Sequence, residues 1–306
     1  MPPCPRLRLS LLARHLAQVP AAADGGDFAA VAAAMTHYFE GAHDVQPERT
    51  RSIWHTEVAS LKGVDPSGEL VVTEPAPYLA MIASGACGSN DTAVLAADRL
   101  VSLEFTSSRT CLARVEVSDP LDQAGKATVY TDFISLVDIV DRGWTVVSKL
   151  FAGRPLGTLS YSEPALSTTH GEIAVALQHY FDGQRSGAGS STIMRRVFHP
   201  GALLRGPVME CDANDHPGLK VGELRVLTAD DFFAMLDAPD FPKWDDKGLN
   251  KILRIDKSGP RSACATVQIQ AADMLYTDHL SMLKLGPEGR AKWMIVHKTF
   301  VPSAIE

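Results

Sequence analysis

Nowhere in the 306 residues does an apolar run approach the roughly 20 positions that a membrane-spanning helix needs. A basic stripe is missing too. The net charge is −7 and the acidic surplus is spread along the chain, so the electrostatic footprint of a nucleic-acid binder is absent. Cysteines are few: Cys4, Cys87, Cys111, Cys211 and Cys264, an odd and scattered set without C-x-x-C spacing. That pattern argues against a disulfide framework and reads as free thiols of a reducing compartment. Neither G-x-G-x-x-G nor G-x-x-x-x-G-K-[ST] occurs, and no G-x-S-x-G nucleophile elbow. The expectation is a cytoplasmic protein without cofactor, metal, nucleic-acid or membrane partner. Residues 1–23 carry three Arg and no acid before Asp24, which is the make-up of an organelle transit segment and leaves an organelle as the alternative location.

What the chain does contain is itself, twice. "VYTDFISLV" (129–137) returns as "LYTDHLSML" (275–283), "MTHYFEG" (35–41) as "LQHYFDG" (177–183), and "GWTVVSKLF" (143–151) as "KWMIVHKTF" (292–300). "GELVVTEPAPYLAMI" (68–82) matches "GELRVLTADDFFAML" (222–236) without a gap, and so does 100–117 against 252–269. The blocks keep their order while the offset drifts between 142 and 154, as loop insertions would cause. A unit of about 130 residues is too long for a solenoid repeat and right for a domain. The division expected is 1–26 an N-terminal arm or targeting segment, 27–155 a first domain, 156–167 a linker, and 168–303 a second domain.

Each half opens with apolar residues at helical spacing: Val31, Met35, Tyr38 and Phe39 in the first, Ile173, Leu177, Tyr180 and Phe181 in the second. Gly41 and Gly183 stand where such a helix would stop. Two short helices are expected next, around "RTRSIW" or "STIMRRVF" and around "PYLAMI" or "DFFAML". The period then changes to two in "ARVEV", "TVYTDFISLVDIV" and "WTVVSKLF". Helices followed by a run of antiparallel strands give an α+β class. The expected body is a pair of tandem cones, each a strongly curved antiparallel sheet with helices packed on it and a small-molecule site at the open end.

The order of Tyr180-Phe181-Asp182-Gly183, Phe198-His199-Pro200, Tyr276-Thr277-Asp278-His279-Leu280-Ser281 and Trp293-Met294-Ile295-Val296-His297-Lys298-Thr299-Phe300 resembles the nuclear transport factor-like (SnoaL-like, cystatin-type roll) superfamily, in particular its "putative lumazine-binding" group. The first half carries a looser copy of each motif. The resemblance implies a cone fold in each half. It does not choose among isomerases, dehydratases, cyclases and pure binding domains, which share that fold.

Residues two apart on a strand share a face, so Tyr130 and Asp132 point together, as do Tyr276 and Asp278. A hairpin turned at Asp141 or Glu288 brings Asp132 beside Lys149 and Asp278 opposite Lys298. Two readings follow. Buried at the cone floor, the Asp is a base held ionised by Lys, with Tyr130 donating to an oxyanion. Exposed, the pair is a scaffold device worth roughly 0–1 kcal/mol. His55 and His199 follow aromatic residues Trp54 and Phe198. Where the resembling family often places an acid after this His, the second half has Gly201 and the first has Glu57, so His55, Glu57, Asp132 and Tyr130 form the candidate catalytic set. Tyr38, Trp54, Lys149, Tyr180, Phe198, His199, Tyr276, Asp278 and Lys298 are the candidate ligand contacts. His279 and His297 can approach across the last hairpin, but spacing supplies no third metal ligand. The insertion 206–224, with Cys211, Asp212, Asp215 and His216, reads as a loop or lid.

Three functions stand open at this level. One is binding of a small molecule in each cone, another a cofactor-independent acid–base enzyme of isomerase, dehydratase or cyclase type, and the third an interaction scaffold with filled cones. The duplication suggests that the two domains pair within one chain, with a homodimer of chains as the alternative.

Overall fold

The computed structural model describes residues 25–65, 67–87, 98–119, 127–156, 169–185, 189–211, 213, 218–239, 241, 249–271 and 273–305. The segment 1–23, the linker beyond residue 156 and the insertion residues Asp212, Asp215 and His216 lie outside them.

The apolar stripes form the opening helices. In α1 (Gly25–His43) Val31, Met35, Tyr38 and Phe39 are buried, and in α4 (Thr169–Arg185) Ile173, Leu177, Tyr180 and Phe181. The i, i+4, i+7 spacing puts these side chains on one face, which packs inward. Both helices run two residues past the glycines expected to end them. Gly41 and Gly183 serve close packing instead. A Cβ on Gly41 would fall 2.2 Å from Thr50 Oγ1 and 3.0 Å from the Thr50 backbone nitrogen, and one on Gly183 would fall 2.8 Å from Met194 Cγ. The missing side chain lets α1 rest on α2 (Pro47–Ile53) and α4 on α5 (Ser190–Met194). The third helix of each half starts differently. α3 (Pro75–Ala83) has Pro75 at its first position, whereas α6 (Ala229–Asp237) begins with a capping box of Thr228 and Asp231.

In the first half β3 (Arg99–Ser107), β4 (Thr110–Ser118), β5 (Thr128–Ile139) and β6 (Gly143–Pro155) form an antiparallel meander. The second half repeats it with β9 (Lys251–Gly259), β10 (Ser262–Ala271), β11 (Met274–Leu285) and β12 (Lys292–Ala304). Two further strands extend each sheet: β1 (Ser60–Val64) and β2 (Leu70–Thr73), or β7 (Phe198–Pro207) and β8 (Leu224–Thr228). β1 joins β6 in parallel and β7 joins β12 in parallel, so each six-stranded sheet is mixed, in the order β2-β1-β6-β5-β4-β3 or β8-β7-β12-β11-β10-β9. β1, β2 and β8 are only four or five residues long, and β7 is broken by Pro200 and Gly201, which hides their alternation in the sequence.

The register of β5 on β6 slips between Ser135 and Leu136, and that of β11 on β12 between Ser281 and Met282. A bulge bends its strand and increases its twist, and here both copies bend at one place. The concave face of each sheet and its helices enclose a separate core. Ile134, Leu136, Val115 and Val146 meet Met35, Trp54 and Tyr78 in the first, and Leu280, Met282, Val267 and Ile295 meet Leu177, Phe198 and Phe233 in the second. Cys87, Cys111 and Cys264 are buried and Cys211 is exposed, and none of the four is in a disulfide. No helix among the described residues is long and apolar enough to cross a membrane.

Candidate functional site

Both cones contain the same buried trio. In the register of β5 and β6, Asp132 lies opposite Phe151 and Lys149 opposite Ile134, so the acid and the lysine are diagonal neighbours on one face. Lys149 Nζ is 2.8 Å from Asp132 Oδ2. Tyr38 reaches down from α1, donates to Asp132 Oδ2 at 2.6 Å, and accepts from Lys149 Nζ at 2.6 Å. In the second cone the Lys298–Asp278 distance is 3.0 Å, Tyr180 donates to Asp278 Oδ2 at 2.5 Å, and Lys298 donates to Tyr180 at 2.7 Å. The hydroxyl that serves the carboxylate thus belongs to helical Tyr38 rather than to Tyr130, which packs its ring against Phe151. Asp132 and Asp278 are 0% exposed, which removes the exposed ion-pair reading. In each Asp the second oxygen, Oδ1, is buried without a hydrogen-bond partner.

Removing an ion pair from water costs several kcal/mol per ion, and mutual attraction repays this only with good geometry. Burial first, and the Asp132 carboxylate next, hold the Tyr38 hydroxyl well above its usual range, so it remains a neutral donor. Tyr180 is raised by burial and then by Asp278. The lysines differ. Burial pushes both down and the aspartates push both up. In the first cone Asp132, helped by Tyr78, outweighs burial and Lys149 is raised. In the second, burial outweighs Asp278, Arg225 adds its repulsion, and Lys298 is lowered. Phe232 stands where the first cone has Tyr78, and each lysine lies 5.1–5.3 Å from that ring centre.

Above each lysine a small cavity opens. The first, of about 100 Å³, is bounded by Lys149, Tyr78, Tyr130, Phe151, Cys87 and Asp119. The second, of about 90 Å³, is bounded by Lys298, Tyr276, Phe300, Phe232, Gln184 and Arg225. Both are narrower than the roughly 300–1,000 Å³ of sites for drug-sized ligands, and both exceed the space of a single water. Asp132 and Asp278 lie beneath the lysines and do not line the cavities. Cys87 is kept protonated, its thiol pushed up to about 11 by burial and then by Asp119. A wider groove of about 750 Å³ lies on the outside of the second domain along Glu172, His179, Arg196 and Trp293. Its ion pair, Lys284 with Glu172, is solvated, and among the described residues no buried polar group of the cone kind converges on it.

The remaining candidates are dispersed. Glu57 is exposed and His55 half-buried, its backbone N–H donating to Val146 C=O at 3.0 Å. Neither borders the cavity that holds Lys149 and Tyr130. Trp54 is core, its ring 5.5 Å from Tyr78 and its indole N–H buried without a partner. Phe198 is core beside Tyr180. His199 accepts from the Gly201 N–H at 3.0 Å, closing its own turn. His279, 2% exposed, has Nδ1 3.2 Å from Thr266 Oγ1, and burial, then Arg254, lowers it to about 3. His297 Nδ1 lies 3.2 Å from Arg205 Nη1. Among the described residues no three His, Cys, Asp or Glu are grouped to hold a metal ion.

Sequence reasoning missed Gln184, Arg225, Asp119 and Tyr78. Three carried a signal. Gln184 is one helical turn beyond Tyr180, Arg225 sits in an ungapped match where the first half has Val71, and Tyr78 is replaced by Phe232 in the same block.

This is the cone of the nuclear transport factor-like fold, present in tandem. A family model described as "Putative lumazine-binding" matches residues 26–152 and again 168–301, and the chain belongs to that family. Among solved structures it is similar to an NTF2-like protein of unknown function from Shewanella baltica, at 21% identity, covering 42% of this chain and 95% of that one with a TM-score of 0.36. A ketosteroid isomerase-like protein from Erwinia carotovora atroseptica is similar at 13% identity, over 42% and 98% of the two chains, with a TM-score of 0.32. A hexachlorocyclohexane dehydrochlorinase, LinA type 2, is similar at 17% identity over 45% and 94%, with a TM-score of 0.29. No curated protein matches the chain at a significant level.

Proposed function

We propose that the protein binds a small organic molecule in each cone, seated on the apolar wall with an acceptor atom against the lysine ammonium. One observation carries this reading. In both copies a lysine spends one N–H on Asp and one on Tyr while bordering a cavity with a largely apolar wall. An ammonium has three donors, so the third is available to a ligand. A buried ion pair is weak support for stability, since well-packed apolar residues serve as well or better. Its presence in both halves therefore favours a binding role. The cavity size limits the ligand, or the part of it that enters, to fragment dimensions.

The test is a fragment panel observed by NMR. Met81 lines the first cavity and Met235 the second, so ¹³C-labelled methionine methyls report each cone separately. Acceptor-bearing fragments are expected to move these signals, and D132N/K149M or D278N/K298M, which remove both charges together, should abolish the response of the cone they alter. Fragments that bind equally well after both double substitutions would refute the role given to the lysines.

A second reading, an acid–base enzyme, is favoured only by Lys298, which burial lowers toward the range of lysine bases and nucleophiles. Inactivation by a carbonyl reagent plus borohydride that maps to Lys298 supports it, and modification spread over surface lysines opposes it.

A further inference from the structure

The trio of the second cone has a neighbour that the first lacks. Gln184 stands one helical turn beyond Tyr180 on α4, where α1 has Ala42 one turn beyond Tyr38. Each of these two positions borders its cavity. Gln184 is 8% exposed, and its amide nitrogen lies 3.4 Å from the Tyr180 hydroxyl.

The trio decides which end of that amide meets Tyr180. The Tyr180 proton goes to Asp278 Oδ2 and one lone pair takes a Lys298 N–H, so the hydroxyl can only accept once more. Gln184 therefore turns its NH₂ group to Tyr180. Its side-chain carbonyl oxygen makes no hydrogen bond among the described residues. A buried polar atom left in that state costs free energy, which a ligand N–H would recover.

Lys298 and Gln184 both bond one hydroxyl oxygen, so one donor and one acceptor share a stretch of the cavity wall. The complementary group carries the reverse pair on neighbouring atoms. A carboxamide does so, with its C=O toward Lys298 and an N–H toward Gln184. A ketone or ester of the same shape satisfies the lysine alone.

We infer that Gln184 determines specificity in the second cone, which selects a small carboxamide over the isosteric ketone or ester. This rests on the binding function proposed for the cones and adds the ligand class of one of them.

Benzamide and acetophenone are suitable probes, because both are uncharged and they differ by NH₂ in place of CH₃. With the full chain and ¹³C-methionine methyls as reporters, benzamide is expected to bind at Met235 about fivefold more tightly than acetophenone, the effect of one neutral hydrogen bond. Q184L, which keeps most of the side-chain bulk and removes the amide, should bring that ratio to near one. The reciprocal A42Q should raise the benzamide-to-acetophenone ratio at Met81 above its wild-type value, and it decides the matter if Q184L does not fold. Equal affinities at Met235 in the wild-type protein, or a ratio there indifferent to Q184L, would overturn the role of Gln184 while leaving cone binding intact. Silence of Met235 to both compounds would overturn the carboxamide class and binding in that cone together.

Discussion

His279 offers a quantitative check on the second domain. It stands on β11 where the first half has Phe133, is almost wholly buried, and keeps Nε2 without a hydrogen-bond partner. Burial and then Arg254 lower it from 6.5 to about 3. The unfolded chain therefore takes up this proton first as pH falls. Stability from the neutral imidazole is complete above about pH 7 and is lost progressively between pH 6.5 and 3. Each tenfold change in proton affinity is worth about 1.4 kcal/mol, so the loss from this group is roughly 2 kcal/mol at pH 5 and approaches about 5 kcal/mol near pH 3. H279F installs the residue of the first copy and removes the titration. Urea unfolding at pH 7.5 and pH 5.0 gives a stability difference for each protein. That difference should be smaller by roughly 2 kcal/mol in H279F, whatever the substitution does to stability at pH 7.5. Equal differences in the two proteins would show that His279 is not held neutral, and the burial assigned to this face of the sheet would be wrong.

Three further outcomes are expected. G41A should destabilise by about 1–3 kcal/mol because the new methyl meets the Thr50 hydroxyl and backbone, and G183A, which meets the buried Met194 side chain, should destabilise in the same direction by less; a G41A protein with an unchanged thermal midpoint would refute the packing role of Gly41. K149M leaves Asp132 buried and unpaired and should cost about 3–5 kcal/mol, most of it recovered in D132N/K149M; a double variant no more stable than the single would show that the pair is not coupled. Light scattering is expected to give the mass of one 32.9 kDa chain, since the duplication supplies two domains in a single polypeptide, and twice that mass would oppose this expectation.

Much of the fold could be read from the chain because the chain is its own comparison. Five ordered blocks mark the domain unit, and the stripe through Tyr38 or Tyr180 marks the opening helix. The parallel strands could not be read that way, since "SLKGV" is too short for alternation to show and "FHPGALLRGP" is broken by Pro and Gly. The diagonal of Asp132 and Lys149 follows from hairpin register, but alternation says only that they share a face, not that the face is covered. Burial of the pair and the Tyr38 hydroxyl between them depend on α1 crossing the sheet, a contact between residues 94 and 111 positions apart. Gly41 and Gly183 show the same limit. A glycine near a helix end reads as a stop, and only the neighbouring helix shows it to be a packing contact.

Binding in the cones is tested most directly by where a ligand atom comes to rest. Crystals of the protein soaked with acceptor-bearing fragments are predicted to show a carbonyl, carboxylate or ring nitrogen within about 3.2 Å of Lys149 Nζ or Lys298 Nζ, with the ring against Phe151 or Phe300. Fragments gathered in the outer groove along Glu172 and Trp293, with both cones empty, would contradict it.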